Sequence, residues 1–323
     1  MTSKILTLFT RTPLHVGAGA SVGAIDQPIV RERHTGFPVI PGSSLKGVLA
    51  DLWFADTVTD AKGKTTRDLA KNITWLFGSD SDEKASAGAL SFGEARLLLF
   101  PIRSAKGSFA WITSPLLLAR ASRDGAKNVS ALIKDLSDKF NAKDGDSFAL
   151  FAASAPIALA GIAAISATTN TAAKSGTPTR LVLEDYTFTH AGELPANLAA
   201  ALMSLLPAES VLGDLANHLV IVSDGMMSFF AKTACEIAQH VRIDDATGTA
   251  SEGGLFNQEN VPAETLFYAV IHATPGRSAT HRDNRPDDAL NALRTRLGEV
   301  NDTLQIGGDA TTGLGYCTAL LAK

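Results

Sequence analysis

Residues 13–47 hold the side chains of this chain whose types and spacing best suit binding and chemistry. The candidates are polar or charged, and they are His15, Asp26, Arg31, Arg33, Ser43, Ser44 and Lys46. Six glycines and four prolines lie in the same segment, so most of it cannot be helical. Because binding and catalytic residues concentrate on such loops, we expect a functional site here.

The turn from Ser43 to Lys46 is a candidate phosphate site. Two serines ahead of a helical pattern predict a helix N-terminus, where backbone N–H groups bind anions. Lys46, one turn into that helix, would add a positive charge. The alternative is an ordinary serine cap with a solvated lysine, and the pattern alone does not separate the two. The turn matches neither a P-loop nor the nucleophile elbow of hydrolases.

Two other segments could meet a polyanion. Arg31 and Arg33, followed by His34, fit either a solvated strand edge or a surface that follows a nucleic-acid backbone. The glycine-rich segment from Gly307 to Gly315 permits close approach of a polyanion, or is simply a flexible hairpin. Both interpretations remain open for each segment.

The loop between His15 and Asp26 contains Gly17-x-Gly19-x-x-x-Gly23 after a predicted strand. It is not a dinucleotide-binding loop, because its spacing is one residue too long and no helix follows it. Asp26 directly precedes Gln-Pro, where an aspartate commonly forms a turn. The residues alone therefore indicate a phosphate-binding protein and leave the role of Asp26 open.

Short strands and a few helices must position these residues. A strand over 5–11 precedes the glycine-rich loop, and the apolar stripe of a helix follows it at Leu45, Val48, Leu49, Leu52 and Trp53. Strands are also predicted within 89–112, 181–189, 219–222 and 266–272, with a last pair around 307–315. Helices are predicted at 68–77, 132–140, 198–206 and 227–241, and from Asp287 or Asp288. This mixture favours an α+β fold with an antiparallel sheet, in one elaborated domain over residues 1–323.

Composition limits the class of protein. The 323 residues are 45% hydrophobic and 19% charged, which supports a sizeable core and excludes a disordered chain. A net charge of −4 excludes a surface coated in positive charge but permits a local basic groove. Cys235 and Cys317 lack a metal-type spacing. Neither the N-terminus nor the alanine-rich stretch from Phe148 to Ala167 predicts a signal peptide or a membrane span, so we expect a soluble cytoplasmic protein.

A longer set of motifs resembles a known family. Residues 14–19 read Leu-His-Val-Gly-Ala-Gly, and residues 25–47 read Ile-Asp-Gln-Pro-Ile-Val-Arg-Glu-Arg-His-Thr-Gly-Phe-Pro-Val-Ile-Pro-Gly-Ser-Ser-Leu-Lys-Gly. Further matching stretches lie at 87–92, 100–107, 220–224, 242–244, 253–256 and 306–315. Together they resemble the RAMP superfamily of CRISPR systems and, within it, the repeating backbone subunits of type III-B (Cmr) effector complexes.

The resemblance implies a ferredoxin-like (RRM-like) palm with inserted segments and a β-hairpin thumb. The implied partners are a guide crRNA, a complementary target RNA, copies of the chain in a helical filament and other type III CRISPR subunits, in antiviral defence and without a membrane. Each thumb would kink the guide–target duplex, and the target would be cut at about six-nucleotide intervals. The implied reaction is a transesterification by the target's own 2′-hydroxyl that depends on Mg²⁺ or Mn²⁺.

The resemblance also assigns roles to residues. Asp26 matches the essential carboxylate, as metal ligand or proton acceptor, and His15 and Glu259 are further catalytic candidates. The positions matched to RNA contacts are Arg31, Arg33, Ser43, Ser44, Lys46, Gly307, Gly308, Thr311 and Gly313. Backbone contacts should dominate, because base pairing carries the sequence information. The chain departs from the family pattern at Glu94, Asn257 and His240, where Asp, Tyr and Arg are usual.

Two alternatives accompany this interpretation. The first is a scaffold that coats the guide RNA without cutting, and the second is the equivalent backbone subunit of a type III-A complex. The presence of Asp26 favours the endoribonuclease over the scaffold. The Arg-Glu-Arg-His-Thr-Gly-Phe-Pro sequence at 31–38 favours type III-B.

Overall fold

The chain forms two compact units that share one strand. The computed structural model describes residues 1–19, 23–53, 57–59, 61–67, 73–79, 85–126, 129, 136–140, 145–159, 178–277 and 281–322. The first unit comprises Met1–Leu97 and Glu236–Lys323, and the second comprises Leu98–Cys235. The chain passes from the first to the second within strand β6 (Ala95–Arg103). One elaborated domain over the whole chain stays a prediction.

The first unit is built on an antiparallel sheet that includes the N-terminal strand. Its strands are β1 (Thr2–Thr10), β2 (Val39–Ile40), β5 (Leu90–Phe92), the start of β6, β14 (Leu266–Ala273), β15 (Thr303–Gln305) and β16 (Tyr316–Leu321), and β3 (Thr57–Thr59) pairs separately with β4 (Thr65–Arg67). Strand β1 lies between β14 and β16. Every residue from Ile5 to Thr10 is buried, which confirms the strand predicted from the apolar run.

The described residues of the first unit form helices α1 (Gly42–Asp51), α2 (Ile73–Phe77) and α8 (Pro286–Glu299). Helix α1 buries Leu45 and Leu49, as the apolar stripe predicts, but it ends before Leu52. Helix α8 begins at Pro286, ahead of the predicted start. Proline suits the first helical position, because the backbone N–H that it lacks would have no helical partner there. Asp288 closes the cap by accepting a 2.7 Å bond from the Arg285 N–H.

A long β-hairpin, β12 (Glu236–Ile243) with β13 (Ala250–Asn260), also belongs to the first unit. The sequence predicted helix through Val241, and that prediction is wrong. Residues four apart, such as Ile237 and Val241, share one face of a helix and also one face of a strand, so the spacing fits both. β-branched residues at 237, 241 and 243 favour the strand. Most of β12 is exposed, and the hairpin matches the predicted thumb.

The second unit has a mixed sheet. From the end of β6 it runs through β7 (Phe109–Thr113), β11 (Leu219–Ile221), β8 (Phe148–Leu150), β10 (Tyr186–Gly192) and β9 (Arg180–Leu183). The pairs β7–β11 and β8–β10 are parallel, so the expectation of a purely antiparallel sheet is wrong for this unit. The strand predicted over 181–189 is split in two, because Glu184 adopts a positive φ of 50° in a turn between β9 and β10.

Within the described residues, the helices of the second unit are α3 (Pro115–Arg123), α4 (Leu136–Phe140), α5 (Leu198–Met203), α6 (Leu215–His218) and α7 (Asp224–Thr233). Helices α4, α5 and α7 overlap the predicted stretches, of which 132–135 lies outside the described residues, and α3 and α6 were not predicted. Ser223 caps α7 by accepting a 3.0 Å bond from the Met226 N–H. None of the helices in the described part of the chain is long and apolar enough to cross a membrane.

Candidate functional site

The last residues of β13 connect three loops that are distant in sequence. Asn257 bonds to the loop of Asp26, Gln258 to Asp309, and Glu259 to His15. The partners of these bonds lie between 51 and 244 positions away along the chain. Strand β13 therefore assembles the candidate site from both ends of the sequence.

Asp26 is exposed and tied to Asn257 in both directions. The Asp26 N–H donates to Asn257 Oδ1 at 2.8 Å, and the Asn257 N–H donates to Asp26 Oδ2 at 2.9 Å. Pairing with β13 continues at Gln27, whose N–H donates to the Asn257 carbonyl at 3.1 Å. Within the described residues Asp26 Oδ1 has no hydrogen-bond partner, so one carboxylate oxygen is available to a ligand.

His15 is buried beneath the glycine-rich loops. Its Nδ1 lies 2.7 Å from the Glu259 carbonyl oxygen, which can only accept. Nδ1 therefore carries a proton, and Nε2 is the acceptor when the ring is neutral. The His15 carbonyl accepts from the Gly308 N–H at 2.9 Å. A Cβ at Gly307 would lie 2.1 Å from the same carbonyl, so only glycine allows this approach.

Glu259 and Arg31, predicted to be catalytic and RNA-binding, form a pair. Arg31 Nη2 lies 2.5 Å from Glu259 Oε1, and the side chain of Glu259 is only 4% exposed. Glu259 Oε2 accepts from the Ile29 N–H at 3.1 Å, and Arg31 Nη1 donates to the Gly36 carbonyl at 2.7 Å. Both side chains therefore hold the 29–36 segment on β13. Whether they also touch RNA or act in catalysis stays a prediction.

The terminal glycine-rich loop is held in place through Asp309. Gln258 Nε2 donates to Asp309 Oδ2 at 2.8 Å, and Asp309 itself adopts a positive φ of 59°. Its carbonyl accepts from the Thr312 hydroxyl at 2.9 Å. Thr311 lies exposed within a 3₁₀ turn, and Gly313 follows that turn at a positive φ of 91°. The predicted RNA-contact residues of this loop thus present exposed backbone beside the His15 segment.

Ser43, Ser44 and Lys46 lie on α1, which packs on β5. The cap prediction is wrong: the helix begins at Gly42 with Pro41 as its N-cap, and no side chain caps it. A Cβ at position 42 would lie 2.3 Å from the Phe92 carbonyl, so only glycine fits at the first helical position. The first N–H groups of α1 are left without a side-chain cap, which suits an anion.

A cavity of about 400 Å³ adjoins α1. Lys46 and Arg277 supply two positive charges to its lining, and the hydroxyls of Ser79, Ser86 and Ser91 lie around it. Arg277 was not predicted from the sequence, because only the fold brings it to the same cavity as Lys46. The lining suits a phosphate-bearing ligand.

The remaining predicted positions are spread over the first unit. Arg33 is exposed in the turn before Gly36. Glu94 is exposed between β5 and β6. His240 stacks on Phe256 across the hairpin, with ring centroids 5.1 Å apart.

Comparison with known proteins identifies the family. The family model of the RAMP superfamily matches residues 7–318, almost the whole chain. The chain belongs to the RAMP superfamily. This confirms the resemblance read from the motifs at 14–19, 25–47 and 306–315, and it confirms the α+β fold with a ferredoxin-like palm.

Relatives within the superfamily are similar over different lengths. The CRISPR system Cmr endoribonuclease Cmr4 of Pyrococcus furiosus is 32% identical over 100% of this chain and 97% of its own length. The endoribonuclease Csm3 of Streptococcus thermophilus is 37% identical, but over only 27% of this chain. A crystal structure of oligomeric Cmr4 from Pyrococcus furiosus superposes with a TM-score of 0.61, 26% identity and coverage of 99% of this chain and 98% of that chain. The type III-B Cmr-beta complex bound to cognate target RNA contains the same fold, at 18% identity and a TM-score of 0.64.

Proposed function

We propose that this chain is the repeating backbone subunit of a type III-B CRISPR effector complex, where it binds guide crRNA and cuts complementary target RNA. One observation carries the proposal: Asp26, with one carboxylate oxygen open, is presented on an exposed loop by β13 in a full-length relative of an endoribonuclease. The full-length match to a Cmr protein, against partial matches to Csm3, supports type III-B over type III-A. Antiviral defence in the cytoplasm is the corresponding setting.

The proposed reaction is an attack by a target 2′-hydroxyl on its neighbouring phosphorus. The O–P bond that forms gives a 2′,3′-cyclic phosphate, and the bond to the 5′ oxygen of the next nucleotide breaks. Asp26 Oδ1 would accept the 2′-hydroxyl proton, and the 5′ oxygen would take up a proton as it leaves. The enzyme's remaining task is to hold the kinked backbone in line, which is positioning work. His15 is the candidate donor of that second proton, from Nε2 of the doubly protonated ring, which returns to the neutral form with Nδ1 still protonated.

As the alternative to accepting the proton, Asp26 Oδ1 would hold Mg²⁺ or Mn²⁺. Among the described residues no group of three or more His, Cys, Asp or Glu side chains is placed to share a metal ion. One carboxylate still fits a metal that takes its other ligands from RNA phosphate and water, as Mg²⁺ commonly does. When bound, the ion would neutralise charge that develops on the phosphate.

The guide RNA would follow the two glycine-rich segments and α1. The uncapped N-terminus of α1, Lys46 and Arg277 supply the attraction for phosphate. The loop from Gly307 to Gly313 supplies exposed backbone at close range. Copies of this chain would repeat these contacts along the guide in a helical filament, together with other type III subunits.

The second candidate is a scaffold that binds guide RNA without cutting. The observation that favours it is that both carboxylate oxygens of Glu259 already have partners, Arg31 and the Ile29 N–H. Glu259, one of the predicted catalytic residues, is therefore engaged in structural contacts. The scaffold and the endoribonuclease differ in one property, the dependence of target cleavage on Asp26.

The test compares complexes assembled with wild-type chain, Asp26→Asn and Asp283→Asn, each with labelled complementary RNA and Mg²⁺. Asp26→Asn keeps an acceptor for the Asn257 N–H and removes only the charge. We expect it to abolish cleavage while target binding stays unchanged. Asp283, an exposed aspartate outside the β13 contacts, is the matched control and should cut normally. Cleavage at the wild-type rate by Asp26→Asn would show that Asp26 is not catalytic, and tight target binding without cleavage by the wild-type complex would leave the scaffold as the function.

A further inference from the structure

Asn257 holds the loop of Asp26 with both ends of its side chain. Asn257 Oδ1 accepts from the Asp26 N–H at 2.8 Å, and Asn257 Nδ2 donates to the Ala24 carbonyl at 3.2 Å. The asparagine amide carries both an acceptor oxygen and a donor NH₂ group, so one side chain can bond to an N–H and to a carbonyl at once. The two bonds therefore fix the backbone on both sides of Ile25.

The same residue also fixes the carboxylate. The backbone N–H of Asn257 donates to Asp26 Oδ2 at 2.9 Å. This anchors one oxygen and leaves Oδ1 without a partner among the described residues. Asn257 thus sets where the Asp26 backbone lies and which carboxylate oxygen faces outward.

Among the described residues of this loop, the Ala18 N–H donates to the Pro28 carbonyl at 2.8 Å, and the Asn257 contacts hold the other end. Gly19 and Gly23 adopt positive φ angles of 94° and 73°, and a Cβ at either would meet no atom within 4 Å. Backbone pairing with β13 begins only at Gln27. The Asn257 side chain extends the attachment from Gln27 back to Ala24, across Asp26.

We propose that Asn257 is a positioning residue for Asp26 in target cleavage. The proposal rests on the proposed function, in which Asp26 takes part in the reaction. Asn257 touches no reacting atom and acts through the placement of the carboxylate. A misplacement of about 1 Å at a reacting group is enough to cost roughly 100-fold in rate.

The experiment measures single-turnover cleavage in the assembled complex for Asn257→Ala and Asn257→Asp. Alanine removes both side-chain bonds. Aspartate has the same shape but cannot donate to the Ala24 carbonyl, and it places a second negative charge beside Asp26. We expect both variants to lower the maximal cleavage rate about 10- to 100-fold and to leave unchanged the target RNA concentration for half-maximal rate. A residue that only fills space would tolerate the isosteric aspartate.

Two controls separate this inference from the proposed function. Gln239 lies directly opposite Asn257 on β12 and is exposed, so Gln239→Ala should cut at the wild-type rate. Asp26→Ala should not cut. If Asp26→Ala is inactive and Asn257→Ala cuts at the wild-type rate, the positioning role is wrong and the proposed function stands. If Asn257→Ala raises the half-maximal concentration instead, Asn257 is an RNA contact and the inference is overturned. Normal cutting by Asp26→Ala would overturn both.

Discussion

Glu259 is a buried carboxylate whose charge is balanced by Arg31. The sequence predicts an acid–base role for the glutamate and an RNA contact for the arginine. The structure instead joins the two at 2.5 Å, with Glu259 only 4% exposed. The sequence could not reveal the pairing, because the two residues are 228 positions apart. The sequence can indicate that a charged side chain will need a partner if it is buried. Only the fold determines which residue that partner is.

Arg31→Ala should destabilise the protein strongly. It leaves the Glu259 charge buried without its partner, and breaking a buried pair in this way costs about 3–5 kcal/mol. Arg33→Ala, two positions away and exposed, should change the free energy of unfolding by less than about 0.5 kcal/mol. Urea unfolding of the purified subunit measures both. Equal stability of the two variants would show that the Arg31–Glu259 contact is not structural.

Lys46→Ala should weaken guide-RNA binding by removing one phosphate contact. The slope of log Kobs against log salt concentration should fall by about 1, equally for guides of different sequence. Lys232→Ala, an exposed lysine at the end of α7 in the second unit, serves as the control. Binding measured across a salt series gives both slopes. A slope identical to that of the wild type would mean that Lys46 does not meet phosphate.

The elements of the palm follow from local patterns, while the thumb does not. The buried run of β1 and the apolar stripe of α1 were both predicted from periodicity. The hairpin was predicted as helix because Ile237 and Val241 satisfy both periods, and most of its first strand is exposed, so burial gives no further signal. Capping of α1 was mispredicted: the helix begins at Gly42, ahead of the serines, and no local pattern contains the approach of the Phe92 carbonyl to that glycine.

Gly307→Ala tests the packing of the terminal loop on the His15 segment. The new Cβ would lie 2.1 Å from the His15 carbonyl, so the loop must move and the Gly308–His15 bond must break. Gly313→Ala has a similar positive φ but meets no atom within 4 Å, so it carries only backbone strain of about 1–2 kcal/mol. We expect Gly307→Ala to lose clearly more stability and to impair cleavage. Thermal unfolding and cleavage assays measure both effects. Equal stability and equal cleavage for Gly307→Ala and Gly313→Ala would contradict the close packing of Gly307 on the His15 carbonyl.

The tip of the hairpin should respond to acid. Hydrogen bonds from Thr247 and Ala246 lower the pKa of Asp244 below its usual value. A lowered folded-state pKa means that the stabilisation is present above the unfolded pKa and is lost as the pH falls through the folded value. Amide hydrogen exchange at Ala246 and Thr247, corrected for its intrinsic pH dependence, should therefore show less protection at acid pH. Asp244→Asn should remove this dependence, and a dependence that persists in that variant would assign it to another group.

For the whole molecule, the family and its fold class could be predicted from the sequence. The contacts that bring the site residues together could not. The motifs at 14–19, 25–47 and 306–315 are each local, and the family match over 7–318 confirms them together. The contacts that join them run through β13, up to 244 positions away. Gln258 and Asp309 escaped prediction for that reason, since each acts through a partner chosen by the fold. Asn257 was named only as a departure from the family pattern, and its contact with Asp26 was not predicted.

The central claim is that each copy of this chain cuts its own site on the target through Asp26. Complexes assembled from mixtures of wild-type and Asp26→Ala chains, given labelled complementary RNA and Mg²⁺, test it most directly. We expect a product ladder spaced by about six nucleotides, in which each product declines in proportion to the mutant fraction. The all-mutant complex should bind target and produce no ladder. A full ladder from the all-mutant complex would show that Asp26 is not needed for cutting, and tight target binding without any ladder from wild type would show that the chain does not cut.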